Sequence, residues 1–95
     1  MYLYVSKAVE QKIVEFHGVT VVEAEEAFAN FDGKMIEDDR PKHRTKPPTF
    51  WFLSETFDGR LLKVVVKIVW DKQIAFLRTA YEPSDEEINY YEKNC

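Results

Sequence analysis

Residues 49–81 read TFWFLSETF (49–57), DG (58–59), RLLKVVVKIVW (60–70), DK (71–72) and QIAFLRTAY (73–81). These are three β-rich runs separated by two short punctuations. In the middle run Leu62, Val64, Val66, Ile68 and Trp70 fall on one side, and Leu61, Lys63, Val65, Lys67 and Val69 on the other. A period of two with one wholly apolar side is the pattern of a half-buried strand. Asp58-Gly59 suits the positive φ angles of a type I′ turn, which predicts that the first two runs close as a hairpin. Asp71-Lys72 marks a second tight connection. The expected product is an antiparallel meander that the rest of the chain packs on or hangs from.

The 95 residues are enough for one domain, and a hydrophobic content of 45%, with 15% aromatic, can fill its core. The single cysteine, Cys95, offers neither a disulfide framework nor a zinc-ligand spacing. That composition, with no apolar leader in MYLYVSKAVEQ and no apolar run long enough for a bilayer, predicts a cytoplasmic protein without a membrane partner. Seventeen acidic against thirteen basic residues give a net charge of −4. A nucleic-acid binder of this charge needs its cations gathered locally. The sequence gathers them once: from residue 40 to 48 it holds Arg40, Lys42, His43, Arg44 and Lys46, with no acid. The three prolines of residues 39–48 (DRPKHRTKPP) and their lack of large apolar residues make that segment a loop. Asp38-Asp39 beside it reads as counter-charge.

Residues 1–5 fit either an added strand or an ordered leader. Ser6 is an N-cap for a helix over 7–16, with Val9, Ile13 and Phe16 as its apolar stripe and Gly18 just past its end. Thr20 and Glu23 form a capping box for a second helix that stops near Asn30. Its buried side is Val21, Ala24, Ala27 and Phe28, with Glu23, Glu25 and Glu26 in water. Residues 34–38 (KMIED) suit a short strand. Ser84 and Glu87 form another capping box for a helix over 85–93, with Ile88 and Tyr91 inward and Glu86, Glu87 and Glu92 outward. The fold class is α+β: two N-terminal helices, an antiparallel meander of three to four strands and a C-terminal helix, all helices on one face.

No serine sits in a nucleophile motif, and three widely spaced glycines make no phosphate loop. No cofactor and no metal site is expected. His17, at the end of the first helix, either caps its last carbonyls or serves as a base. His43 is a second base candidate. Tyr81, Tyr90 and Tyr91 either pack with a wet hydroxyl or stack bases and donate protons. Lys63 and Lys67 either line an RNA cleft or keep the second sheet face hydrated.

Four segments, in order, resemble the BrnT-like toxins of the RelE/ParE-like superfamily. Phe16-His17-Gly18-Val19 with VEAEEAFAN is similar to their "KHGV…EAEEVF" start, and MIEDDR (35–40) to their "IEDPR" segment. Asp58-Gly59-Arg60-Leu61-Leu62-Lys63-Val64-Val65 is similar to their "GRLLVVV" hairpin, and EEINYYE (86–92) to their last helix. The resemblance implies the toxin of a type II toxin–antitoxin system, a metal-independent endoribonuclease that inhibits translation. Its partners would be a cognate antitoxin and RNA, ribosome-associated or free, in a homodimer or a toxin–antitoxin hetero-oligomer. Its chemistry, attack of a ribose 2′-OH on the adjacent phosphate, needs a base, cations and an acid. On that reading Arg78, Arg60, His17 and Tyr81 are catalytic candidates, and Arg40, Lys42, His43, Arg44 and Lys46 bind RNA. The chain departs from the pattern at Phe16, where the family has lysine, and at Ala80, where its strand arginine falls. By strand alternation Arg78 shares a face with position 80, displaced by roughly 7 Å. The alternative is a catalytically inactive relative that acts as a protein-binding module, or a protein whose only work is complexation.

Overall fold

The computed structural model describes residues 1–38 and 47–95. Strands β1 (Tyr2–Tyr4), β2 (Ile36–Glu37), β3 (Thr49–Glu55), β4 (Leu61–Val69) and β5 (Ile74–Tyr81) form one sheet. Its strand order is β1-β5-β4-β3-β2. Helices α1 (Lys7–His17), α2 (Val21–Ala29) and α3 (Asp85–Asn94) complete an α+β domain. The meander β3-β4-β5 is antiparallel as the alternation predicts. Residues 1–5 contribute a strand rather than a leader. β1 pairs parallel to β5, which makes the sheet mixed, and β2 adds a short antiparallel edge on β3.

The helix ends follow local rules. Ser6 accepts from the Val9 N–H at 3.2 Å. Gly18, at φ +62°, closes α1 with its own N–H on the Val14 carbonyl and the Val19 N–H on the Ile13 carbonyl. The bond from Gly18 to Val14 is that of an αL cap, and the turn carries Val19 into the core. Both predicted capping boxes are formed, Thr20 with Glu23 and Ser84 with Glu87.

The hairpin turn is not the expected two-residue type I′. Among its residues only Gly59 has positive φ, at +85°, and Leu61 pairs with Glu55. The Thr56 N–H donates to the Arg60 carbonyl and the Gly59 N–H to the Thr56 carbonyl, both at 2.9 Å. Phe57, Asp58 and Gly59 thus make a three-residue loop closed by a left-handed glycine. The Thr56 hydroxyl stabilises it by accepting from the Arg60 N–H at 3.0 Å.

Nor do all helices share a face. Leu62, Val64, Val66 and Ile68 lie beneath α1 and α2, in a core with Ile13, Val19, Ala24, Ala27, Phe52, Ala75, Leu77 and Ala80. The other face carries Trp51, Lys63 and Tyr81, which pair across the sheet with its remaining residues, and α3 lies there. The reason is compositional. The second face of β4 alternates valine with lysine, so it accepts a thin polar helix with no fully buried residue.

Candidate functional site

Three of the candidate catalytic residues meet at one end of the sheet. The last turn of α1 brings the His17 ring to 5.1 Å from the Tyr81 ring at the end of β5, tilted by 35°. Arg60, just before β4, donates from Nη1 to the carbonyl of Gly18, the residue after His17, at 3.0 Å. Its Nε donates to the carboxylate of Glu82, the residue after Tyr81, at 2.8 Å. The same Nη1 reaches both oxygens of Glu23 at 3.1 Å. Arg60 therefore ties the α1–α2 junction to the ends of β4 and β5, and three acceptors occupy its guanidinium.

The Glu23 that it grips, expected to be solvated, serves two partners. Its carboxyl is held below the usual range first by the Thr20 N–H of the capping box and then by Arg60. Glu26, expected in water as well, accepts from the Phe57 N–H at 3.0 Å and fastens α2 to the hairpin loop.

On the α3 face Tyr81 belongs to a second cluster. Its hydroxyl donates to Glu87 Oε2 at 2.9 Å, and Lys63 Nζ donates to the same oxygen at 2.6 Å. The Lys63 side chain is only 13% exposed. Its ammonium sits 4.5 Å from the Trp51 ring centre and 5.6 Å from that of Tyr81, within cation–π range. Burial works against the Glu87 charge, but Lys63, the Ser84 N–H and the Tyr81 hydroxyl outweigh it and hold the carboxyl down to about 2. Burial pushes the Tyr81 hydroxyl up, so it stays protonated and can donate. The outward placement expected for Glu87 is thus corrected. A capping-box glutamate is local in sequence, but its second oxygen found a partner across the sheet.

Beside this cluster lies a groove of about 280 Å³ lined by Ile36, Glu37, Asp38, Trp51, Lys63, Glu87 and Tyr90. Tyr90 rests against Trp51 with ring centres 6.1 Å apart. Tyr91 instead packs, its hydroxyl donating to the Lys34 carbonyl at 2.5 Å. In sequence the basic run follows Asp38. Arg40, Lys42, His43, Arg44 and Lys46, the expected RNA-binding residues, lie outside the described residues.

Arg78 does not join His17 and Tyr81. The pairing of β5 with β4 slips between Val65 and Val66, so Thr79 faces Val65 while Leu77 faces Val66 and Arg78 is the extra residue. A bulge of this kind breaks strict alternation. Phe76 stands opposite Lys67, on the α3 face, whereas Ala80 stands opposite Val64 in the core at 0% exposure. The alternation from which Arg78 and position 80 were expected to share a face is therefore broken, and position 80, buried in the core, is no slot for a guanidinium. Arg78 instead lines a groove of about 340 Å³ with Tyr4, Ser6, Ala8, Val9, Lys12, Phe76 and Leu77. Next to it the Thr79 hydroxyl is buried with no partner among the described residues.

Sequence reasoning missed Glu87, Glu23, Trp51 and Lys12 as members of these clusters. The one available signal was that both capping-box glutamates stand near a lone basic residue once the strands pair. Among the described residues no group of three or more histidine, cysteine or acidic side chains is placed to hold a metal, and no helix is long and apolar enough to cross a membrane. Compared with known proteins, the chain matches no protein-family model and no curated protein.

Proposed function

We propose that this chain is the toxin of a type II toxin–antitoxin pair, a metal-independent endoribonuclease that belongs with the BrnT-like proteins and is restrained by a cognate antitoxin. The observation that carries the reading is the approach of His17 to Tyr81, 5.1 Å between rings, beside the Lys63 ammonium and the Arg60 clasp. His17 takes the proton of a ribose 2′-OH as the general base. The 2′ oxygen bonds to the adjacent phosphorus, the bond from phosphorus to the 5′ oxygen breaks, and a 2′,3′-cyclic phosphate results. The phenol of Tyr81, kept protonated by burial, gives its proton to the leaving 5′ oxygen. Lys63 favours the negative charge that develops on the phosphate and on the phenolate. Arg60, with Nε and Nη1 committed to Gly18, Glu23 and Glu82, holds the strand and helix ends in position.

Expression in cells, alone and together with any small gene found directly beside its own, tests the proposal. Growth arrest relieved by the neighbour is expected, together with RNA cleavage by the purified protein in the presence of a chelator. His17→Ala and Tyr81→Phe should each abolish cleavage while each variant still melts cooperatively, Tyr81→Phe at a somewhat lower temperature because Glu87 loses one donor. A second reading is favoured by the ties of Arg60 to Gly18, Glu23 and Glu82: a catalytically inactive protein-binding module whose cations serve the fold. A folded parent protein that neither arrests growth nor cuts RNA, yet binds the neighbour's product, establishes that reading instead.

A further inference from the structure

The β1 strand covers the outer edge of β5 only as far as Phe76, because Tyr4 is its last paired residue. From Leu77 to Tyr81 that edge has no strand partner among the described residues. The groove holding Arg78 opens where β1 stops. Two aromatic rings flank it, Tyr4 at 44% and Phe76 at 37% exposure, in an edge-to-face pair with centres 5.6 Å apart. Lys12 reaches it from α1 and Arg78 from the bulge. Among the described residues neither cation forms an ion pair, whereas Arg60 and Lys63 both do. In a chain of net charge −4, the lining of this groove holds two cations and no acid, beside two exposed rings.

We infer that this groove is a binding subsite for single-stranded RNA, in which a base stacks against Tyr4 and Phe76 and a backbone phosphate lies between Lys12 and Arg78. Aromatic faces beside a cationic track are the common means of holding single strands without base readout. Arg78 suits the phosphate because its planar fork can meet two oxygens at once. Along β5 the subsite is three residues from Tyr81, roughly 10 Å of strand. That is about three stacked nucleotides at roughly 3.4 Å each. One strand lying on the uncovered edge can thus reach both the groove and the His17–Tyr81 pair. The inference rests on the ribonuclease reading for its substrate and reassigns Arg78 from the chemistry to the holding of the strand. An acidic peptide is the competing occupant. The rings disfavour it, because carboxylates gain nothing from them.

The test is a fluorescence-anisotropy titration with a labelled, fully 2′-O-methylated octanucleotide of mixed sequence, which cannot be cleaved. The parent protein should bind it, and the log–log salt slope should fall by about 0.7 for each of Lys12→Gln and Arg78→Gln. Tyr4→Ala should weaken binding about tenfold and Tyr4→Phe should not. All three side chains are on the surface, and circular dichroism melts verify folding. No binding by the parent, or unchanged affinity and slope in the Lys12→Gln/Arg78→Gln double variant, overturns the inference. So does competition by hexaglutamate as strong as that by unlabelled oligonucleotide. Because the probe cannot be cut, binding lost in the variants of a protein without nuclease activity upholds the subsite while defeating the enzyme reading. Nuclease activity with binding indifferent to all of these variants does the reverse.

Discussion

Replacing Glu87 by glutamine isolates one charge and leaves the local helix start intact, since glutamine also serves at the third position of a capping box. In the parent Glu87 accepts from Lys63, Tyr81 and the Ser84 N–H, and its carboxyl is held at about 2 against an ordinary 4.5. At about 1.4 kcal/mol per pKa unit that difference corresponds to roughly 3 kcal/mol at neutral pH. A quarter of the side chain is exposed, so screening by water reduces the expected loss to about 2 kcal/mol. The folded-state pKa is the lower one. The stabilisation is therefore complete above the unfolded value of about 4.5 and is lost as pH falls through about 2. Urea denaturation followed by tryptophan fluorescence measures it, with Trp51 lying 4.5 Å from the Lys63 ammonium as a local reporter. With a slope near 1 kcal/mol per molar urea for a domain of this size, Glu87→Gln should move the midpoint by about 2 M at pH 7. The gap between the two proteins should narrow steadily from pH 4.5 to pH 2. Coincident midpoints at pH 7, or a gap as wide at pH 2 as at pH 7, would show that the Lys63–Glu87–Tyr81 cluster does not hold α3 on the sheet.

Val66→Asp should lower stability by more than about 4 kcal/mol, because Val66 is buried opposite Leu77 and a carboxylate there finds no partner; failure to give a cooperative melt is the expected readout. Ala80→Arg, which alternation alone would recommend as a way to restore an active-site arginine, should be comparably disruptive, and a folded, active variant would disprove the bulge. Arg60→Met should cost about 2–3 kcal/mol in the same urea assay, since it leaves Glu23, Glu82 and the Gly18 carbonyl without their shared donor. Arg60→Lys should recover less than half of that, because an ammonium cannot span three acceptors in the plane of a guanidinium.

The elements were legible wherever the physics is local. Alternation over 61–69 follows from the pleat, the starts of all three helices from side chains three residues from a cap, and the end of α1 from a glycine free to adopt φ +62°. The grouping of His17 with Tyr81 was only available as separate candidates, because no spacing in the chain says that the end of α1 meets the end of β5. Three further features needed the folded chain. One residue of slip at Arg78 reverses which of Phe76 and Ala80 faces the core, and register is fixed by the partner strand, not by the run itself. The side of the sheet that α3 takes depends on what α1 and α2 have already covered. The partners of Glu23 and Glu87 lie 37 and 24 residues away, so helix spacing marks both as exposed and only strand pairing brings Arg60 and Lys63 to them. Sequence by itself thus determined the pieces and the inward sides of β4 and α2, but not that of β5, nor the place of Phe16, which is 75% exposed instead of lying in the stripe of α1; tertiary structure decided which charges meet, because that choice is made between residues that only strand and helix packing bring within reach.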